Sequence, residues 1–135
     1  MRPPDEVKKV IVRQWLEKAE QDMKAGEALL AAEPPFLYPA CFHSQQAAEK
    51  YLKALLTRHQ IEFPKTPAIE QLLDLVERVD AETATSLGEA AELTPYGVDI
   101  RYPGDQPEPD FEQTRRAVEL ARKVRDAVLR LLPGQ

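Results

Sequence analysis

The sequence predicts an all-α fold, an antiparallel up-and-down bundle of about five helices forming a single domain over residues 1–135. Three observations lead there. Apolar residues recur at alternating four- and three-residue spacing over long stretches, which is the signature of one buried helical face. Prolines and capping residues fall between these stretches, where helices must end and begin. No stretch alternates apolar and polar residues for long enough to found a sheet.

The first helix is predicted over about Pro4 to Glu33, with Val12, Leu16, Ala19, Met23, Gly26 and Leu30 along one stripe. Pro34 and Pro35 stop it, because proline lacks the amide hydrogen and its ring clashes with the preceding turn. A second helix starts near Phe36 to Pro39 and carries Cys41, Gln45, Ala48, Leu52, Leu55 and His59 on its seam. Gln45 interrupts that apolar row, and a buried amide left unpaired costs about 1 to 3 kcal/mol, so it must find a partner on another helix or loop. A neighbouring row of small residues, Ala40, Ser44, Ala47 and Ala54, admits a second helix at close range.

Thr66 before Pro67 reads as the N-cap of a third helix with Ile69, Leu72, Leu73, Val76 and Val79 inward. Asp80 caps a fourth that runs to about Leu93. Asp110 with Gln113 three residues on forms a capping box for the last helix, whose stripe is Ala117, Ala121, Val124, Val128 and Leu131. Between the fourth and last helices lies a long irregular segment, about Pro95 to Pro109, in which Gly97 to Tyr102 alternates as a short extended piece. Structureless loops of roughly 12 to 15 residues are uncommon in compact domains and carry function when they are ordered.

Composition narrows the function. The longest apolar runs fall far short of the ~18 residues that span a bilayer, and the N-terminus has no signal-peptide pattern, so a cytoplasmic protein is expected. Cys41 is the lone cysteine and His43 and His59 are the two histidines, so no metal cluster of zinc spacing can be drawn and no cofactor is implied. The net charge of −5 argues against sequence-blind attraction to nucleic acid and leaves room for a local basic site. In the last helix Glu112, Glu119 and Asp126 precede Arg116, Lys123 and Arg130 by four residues each, the spacing of solvated ion pairs. There is no phosphate-cradling glycine loop, and Ser44 beside His43 is not a dyad, because adjacent helical residues point about 100° apart.

What remains is the polar row of the second helix, His43, Gln46, Lys50 and Lys53, together with the loop residues Tyr96, Asp99, Arg101 and Tyr102. Arg101, between Ile100 and Tyr102 in a segment expected to pack on the bundle, needs a carboxylate, a carbonyl or a bound phosphate. An internal pair with an acid such as Asp22 or Glu49 satisfies it as well as a ligand would. Tyr96 and Tyr102 either stack on a base or pin the loop.

The stretch from Trp15 to Leu29, YPACFHSQQAAEKYLKALL from Tyr38 to Leu56, the Lys65-Thr66 helix start with Ile69 to Val76, and LTPYGVDIRYPG from Leu93 to Gly104 together resemble a HEPN domain, the "higher eukaryotes and prokaryotes nucleotide-binding" family. The resemblance implies an antiparallel helical bundle, commonly a homodimer, and a small nucleotidyltransferase as a frequent partner, in some cases as a toxin and antitoxin pair. It also implies, for many relatives, metal-independent ribonuclease activity through an arginine followed after four to six residues by a histidine. Here Gln106, Pro107 and Glu108 stand where that histidine would fall. The expected function is therefore a non-catalytic module binding nucleotide or RNA phosphate or pairing with a nucleotidyltransferase, with Arg101, Tyr102, Asp99, Tyr96, Gln46, Lys50 and His43 around the ligand. A ribonuclease using Arg101 with His43, and a structural dimerisation bundle, are the alternatives.

Overall fold

The computed structural model describes residues 5–98, 101–105 and 107–134. Among them are five α-helices, α1 (Asp5–Ala31), α2 (Leu37–Arg58), α3 (Ile69–Val76), α4 (Ala81–Ser86) and α5 (Phe111–Arg130), and one 3₁₀ helix, Gly88–Tyr96. The all-α bundle expected from the periodicity is what forms.

α1 and α2 share the largest interface, and their contacts give their direction. Asp22 meets His43, Glu20 meets Tyr51 and Lys53 lies over the Trp15 ring, so residue numbers fall on one helix as they rise on the other. The pair is antiparallel. The small residues allow it to be tight: a Cβ built on Gly26 would stand 3.2 Å from the Ser44 Oγ and 3.3 Å from the Ala40 carbonyl oxygen. α5 runs parallel to α2, with Cys41 against Thr114 at one end and Tyr51 within electrostatic reach of Arg125 toward the other. Val12, Ala19 and Met23 of α1, Cys41, Ala48, Leu52 and Leu55 of α2, and Ala117, Ala121, Val124 and Val128 of α5 meet in the core. Each predicted stripe faces inward, except that His59 closes α2 as an exposed C-cap.

The short elements depart further from the pattern. α3 begins at Ile69 with Ala68 as its N-cap, two residues after the predicted cap. Thr66 instead folds its hydroxyl back to accept from the Ala68 amide, while the Ile69 amide donates to Thr94 Oγ1 across the chain. The predicted fourth helix divides. Asp80 caps α4 as expected, accepting from the Glu82 amide. The α-helix then ends at Ser86, whose hydroxyl donates to the Thr83 carbonyl, and the chain continues as a 3₁₀ helix through Pro95 to Tyr96. That helix returns beside α3 and brings Tyr96 back to the start of α2.

At α5 the capping box is complete: the Asp110 side chain accepts from the Gln113 amide and the Gln113 side chain accepts from the Asp110 amide. The ion pairs differ from the regular four-residue ladder. Arg115 takes both Glu112 and Glu119, and Arg116 leaves its own helix to grip Glu89 and Glu92 on the 3₁₀ helix at 2.8 and 2.7 Å. Arg122 reaches Glu27 of α1 at 2.7 Å. Arg116 and Arg122 thus brace neighbouring elements, which sequence separation alone could not indicate.

Candidate functional site

The loop after the 3₁₀ helix meets α2 at two places. The first is Gln45. Its side chain is fully buried, and its Nε2 donates to the Pro67 carbonyl at 2.9 Å and to Glu49 Oε1 at 3.0 Å, while its Oε1 accepts from Gln46 Nε2 at 2.7 Å. The partner demanded by its burial is a loop carbonyl. Gly97 lies against this network; a Cβ there would fall 2.8 Å from Pro67 Cβ and 2.9 Å from Gln45 Cδ, so a side chain has no room.

The second is Tyr38, in the first turn of α2. Its hydroxyl reaches the Val98 carbonyl at 2.9 Å and the Tyr96 carbonyl at 3.3 Å, and its ring meets the Tyr96 ring edge-on at 6.2 Å. Burial pushes the Tyr96 phenol above its ordinary pKa, so it stays neutral. On the face of the Tyr38 ring lies Arg101, its guanidinium carbon 4.0 Å from the ring centroid. Such stacking contributes about 0.5 to 2 kcal/mol, more as the cation loses water. The Arg101 side chain is 15% exposed, and its Nη1 meets Glu108 Oε1 at 3.0 Å; the Glu108 side chain is 74% exposed. Behind this pair sits Cys41, buried and donating toward Thr114 Oγ1, its thiol pushed up by burial.

Val98 and Tyr102 face outward, Tyr102 with 70% of its surface exposed, and the charged Arg101 is the residue that packs inward, because an aromatic face and an anion both wait there. Tyr102 is positioned by a reciprocal turn: its amide donates to Asp105 Oδ2 and its carbonyl accepts from the Asp105 amide, both at 3.1 Å. Gly104 takes φ +88°, the left-handed region that glycine enters without strain. Asp99 lies outside the described residues.

The polar row on α2 splits into two groups. Gln46 joins the Gln45 network. His43 and Lys50 point to α1, where Asp22 accepts His43 Nδ1 at 2.9 Å and Lys50 Nζ at 2.5 Å. His43 follows Tyr38 by five residues, a turn of roughly 140° about the helix axis. The imidazole and the guanidinium therefore lie on different sides of α2. The acids suggested as partners for Arg101 are used elsewhere, Asp22 as just described and Glu49 by Lys53 and Gln45. Sequence reasoning passes over Tyr38, although it stands three residues before Cys41 and so on the seam side of the helix. Glu108 reads in the sequence as merely polar.

No group of His, Cys, Asp and Glu among the described residues could hold a metal ion, and no helix is long and apolar enough to cross a membrane. An open hollow of about 740 Å³ lined by Asp80, Glu82, Thr83 and Arg130 lies at the far end of α5 from Thr114. It is roughly 24 Å along that helix from the Arg101 region.

Compared with known families, residues 12–131 match the HEPN domain. The chain belongs to the HEPN family. A HEPN domain is a module of the nucleotide-binding and RNase type, and the residues described around Tyr38 and Arg101 fall inside the matched region. Among solved structures, the chain is similar to the crystal structure of TT1696 from Thermus thermophilus, at 34% identity and a TM-score of 0.70, over 87% of this chain and 94% of that one. No curated protein matches it.

Proposed function

We propose that this HEPN chain is a non-catalytic module that recognises phosphate of a nucleotide or RNA at Arg101. The supporting observation is the guanidinium itself: stacked on Tyr38, mostly withdrawn from water and turned toward an anion on a loop that is tied to α2. An arginine fork matches phosphate geometry, and prior stacking reduces the entropy lost when a ligand binds. Tyr102, outward and adjacent to Arg101, offers a ring for a base to stack on.

Catalysis has less support. The ribonuclease reading needs an imidazole beside Arg101 to move a proton at the ribose 2′-hydroxyl. His43 is held by Asp22 on the α1 side, and Gln106, Pro107 and Glu108 replace the family's histidine. A homodimer and a small nucleotidyltransferase partner remain part of the proposal through family membership, and the mass of the purified complex tests both.

The test of the ligand is a thermal melt of the protein with ATP or a short RNA, repeated on Arg101→Ala. A ligand at about a hundred times its Kd stabilises by about 2.7 kcal/mol, roughly 8 °C or more at this chain length. A shift in the parent protein that disappears in a folded Arg101→Ala variant supports the site. An equal shift in both proteins refutes it.

A further inference from the structure

We propose that Glu108 is a built-in substitute for the ligand's phosphate, which pairs with Arg101 in this structure and must be displaced for the ligand to bind. This inference rests on the phosphate-binding reading and adds how that site is guarded and which ligands pass the guard.

The asymmetry of the pair supports it. Arg101 is 15% exposed and has given up most of its hydration to Tyr38, whereas Glu108 is 74% exposed. A carboxylate beside a cation so placed offsets part of the cost of withdrawing its charge from water. The carboxylate itself is already largely hydrated and loses little by swinging away, as exposed ion pairs contribute little. Exchange of Glu108 for another anion is therefore inexpensive for the protein.

The chain keeps the substitute close. Glu108 lies seven residues beyond Arg101, between Pro107 and Pro109, and Pro109 is buried next to the Asp110 cap of α5. Prolines on both sides restrict the backbone, so the side chain can leave while its attachment point stays. A tethered group of this kind acts at high effective concentration. It competes best with weakly charged ligands. A singly charged anion such as chloride or a carboxylate offers Arg101 no more than Glu108 already does, whereas a ligand that places several negative charges together attracts the guanidinium more strongly and displaces the acid. The ligand class is a di- or triphosphate, or consecutive phosphates of a single strand.

The experiment is calorimetric titration of ATP, inorganic pyrophosphate and a five-nucleotide RNA, each separately, into the full chain and its Glu108→Gln, Arg101→Ala and doubly substituted forms at low salt. Glu108 is on the surface and glutamine is nearly isosteric, so a melt without ligand is expected to show Glu108→Gln folded. The proposal expects Glu108→Gln to bind the phosphate ligand about two- to fivefold more tightly, the factor corresponding to loss of an exposed ion pair. It expects the gain to vanish when Arg101 is also replaced. Which probe responds most identifies the source of the phosphate. Unchanged or weaker binding in Glu108→Gln, with binding still lost in Arg101→Ala, overturns the substitute role and leaves the phosphate site standing. Binding to none of the forms, or equally to all of them, overturns both.

Discussion

Replacing Gly97 by alanine tests whether the loop base is held by shape. The glycine does not need its freedom of backbone, since its φ is −78°. It needs the absence of a side chain: the new methyl carbon would lie 2.8 Å from Pro67 Cβ, 2.9 Å from Gln45 Cδ and 3.1 Å from Gln45 Nε2. Contacts that short force a shift, and neither neighbour yields easily. The Pro67 Cβ belongs to a rigid ring, and Gln45 is buried and tied to Pro67, Glu49 and Gln46. Overpacking of this kind costs about 1 to 3 kcal/mol. At roughly 3 to 5 °C per kcal/mol for this chain length, Gly97→Ala is expected to lower Tm by roughly 3 to 15 °C. Gly88→Ala is the control, because a Cβ there meets nothing within 4 Å; it is expected to be neutral or to stabilise by up to about 1 kcal/mol. Differential scanning calorimetry of the two variants decides. Equal melting temperatures for Gly97→Ala and the parent would refute the account of a loop base packed without spare volume.

Three further outcomes follow from the same region. Gln45→Ala removes the donor to the Pro67 carbonyl and opens space in the core, so a loss of about 2 to 4 kcal/mol is expected in urea unfolding, with the slope unchanged. Tyr38→Phe keeps the ring under Arg101 but leaves the Val98 and Tyr96 carbonyls without its hydroxyl; a loss of about 1 kcal/mol is expected, with faster hydrogen exchange confined to the loop. Cys41 is fully buried with its thiol pushed up by burial, so iodoacetamide at neutral pH is expected to leave it unmodified in the folded protein and to label it completely in denaturant, as read by intact mass.

The long helices were legible in the sequence because each buries one face and periodicity reports that face directly. The stripes through Val12 and Met23, through Cys41 and Leu52, and through Ala117 and Val128 all turn inward. Gln45 was legible for the converse reason: a polar residue on an apolar seam must have a partner, although only the fold could name Pro67. The end of α4 was not legible, since α and 3₁₀ turns place apolar residues at similar spacing over a few residues. The site was half visible. Arg101 stood out by its apolar neighbours, but its surroundings come from Tyr38, some sixty positions earlier, and no local pattern records a ring face beneath a guanidinium. Alternation predicts the inward face only where burial is driven by apolar area, and here stacking and charge selected Arg101 instead.

Tyr38 joins the first turn of α2 to a carbonyl sixty residues further along the chain. The α1–α2 hairpin closes over a short turn and can pack as soon as both helices exist, whereas the Arg101 arrangement requires a long loop to close and α5 to cap behind it. During synthesis the Arg101 arrangement is thus assembled late, on a framework that has already packed. A nascent chain halted before its last helix would hold the Tyr38 ring but no settled arginine on its face.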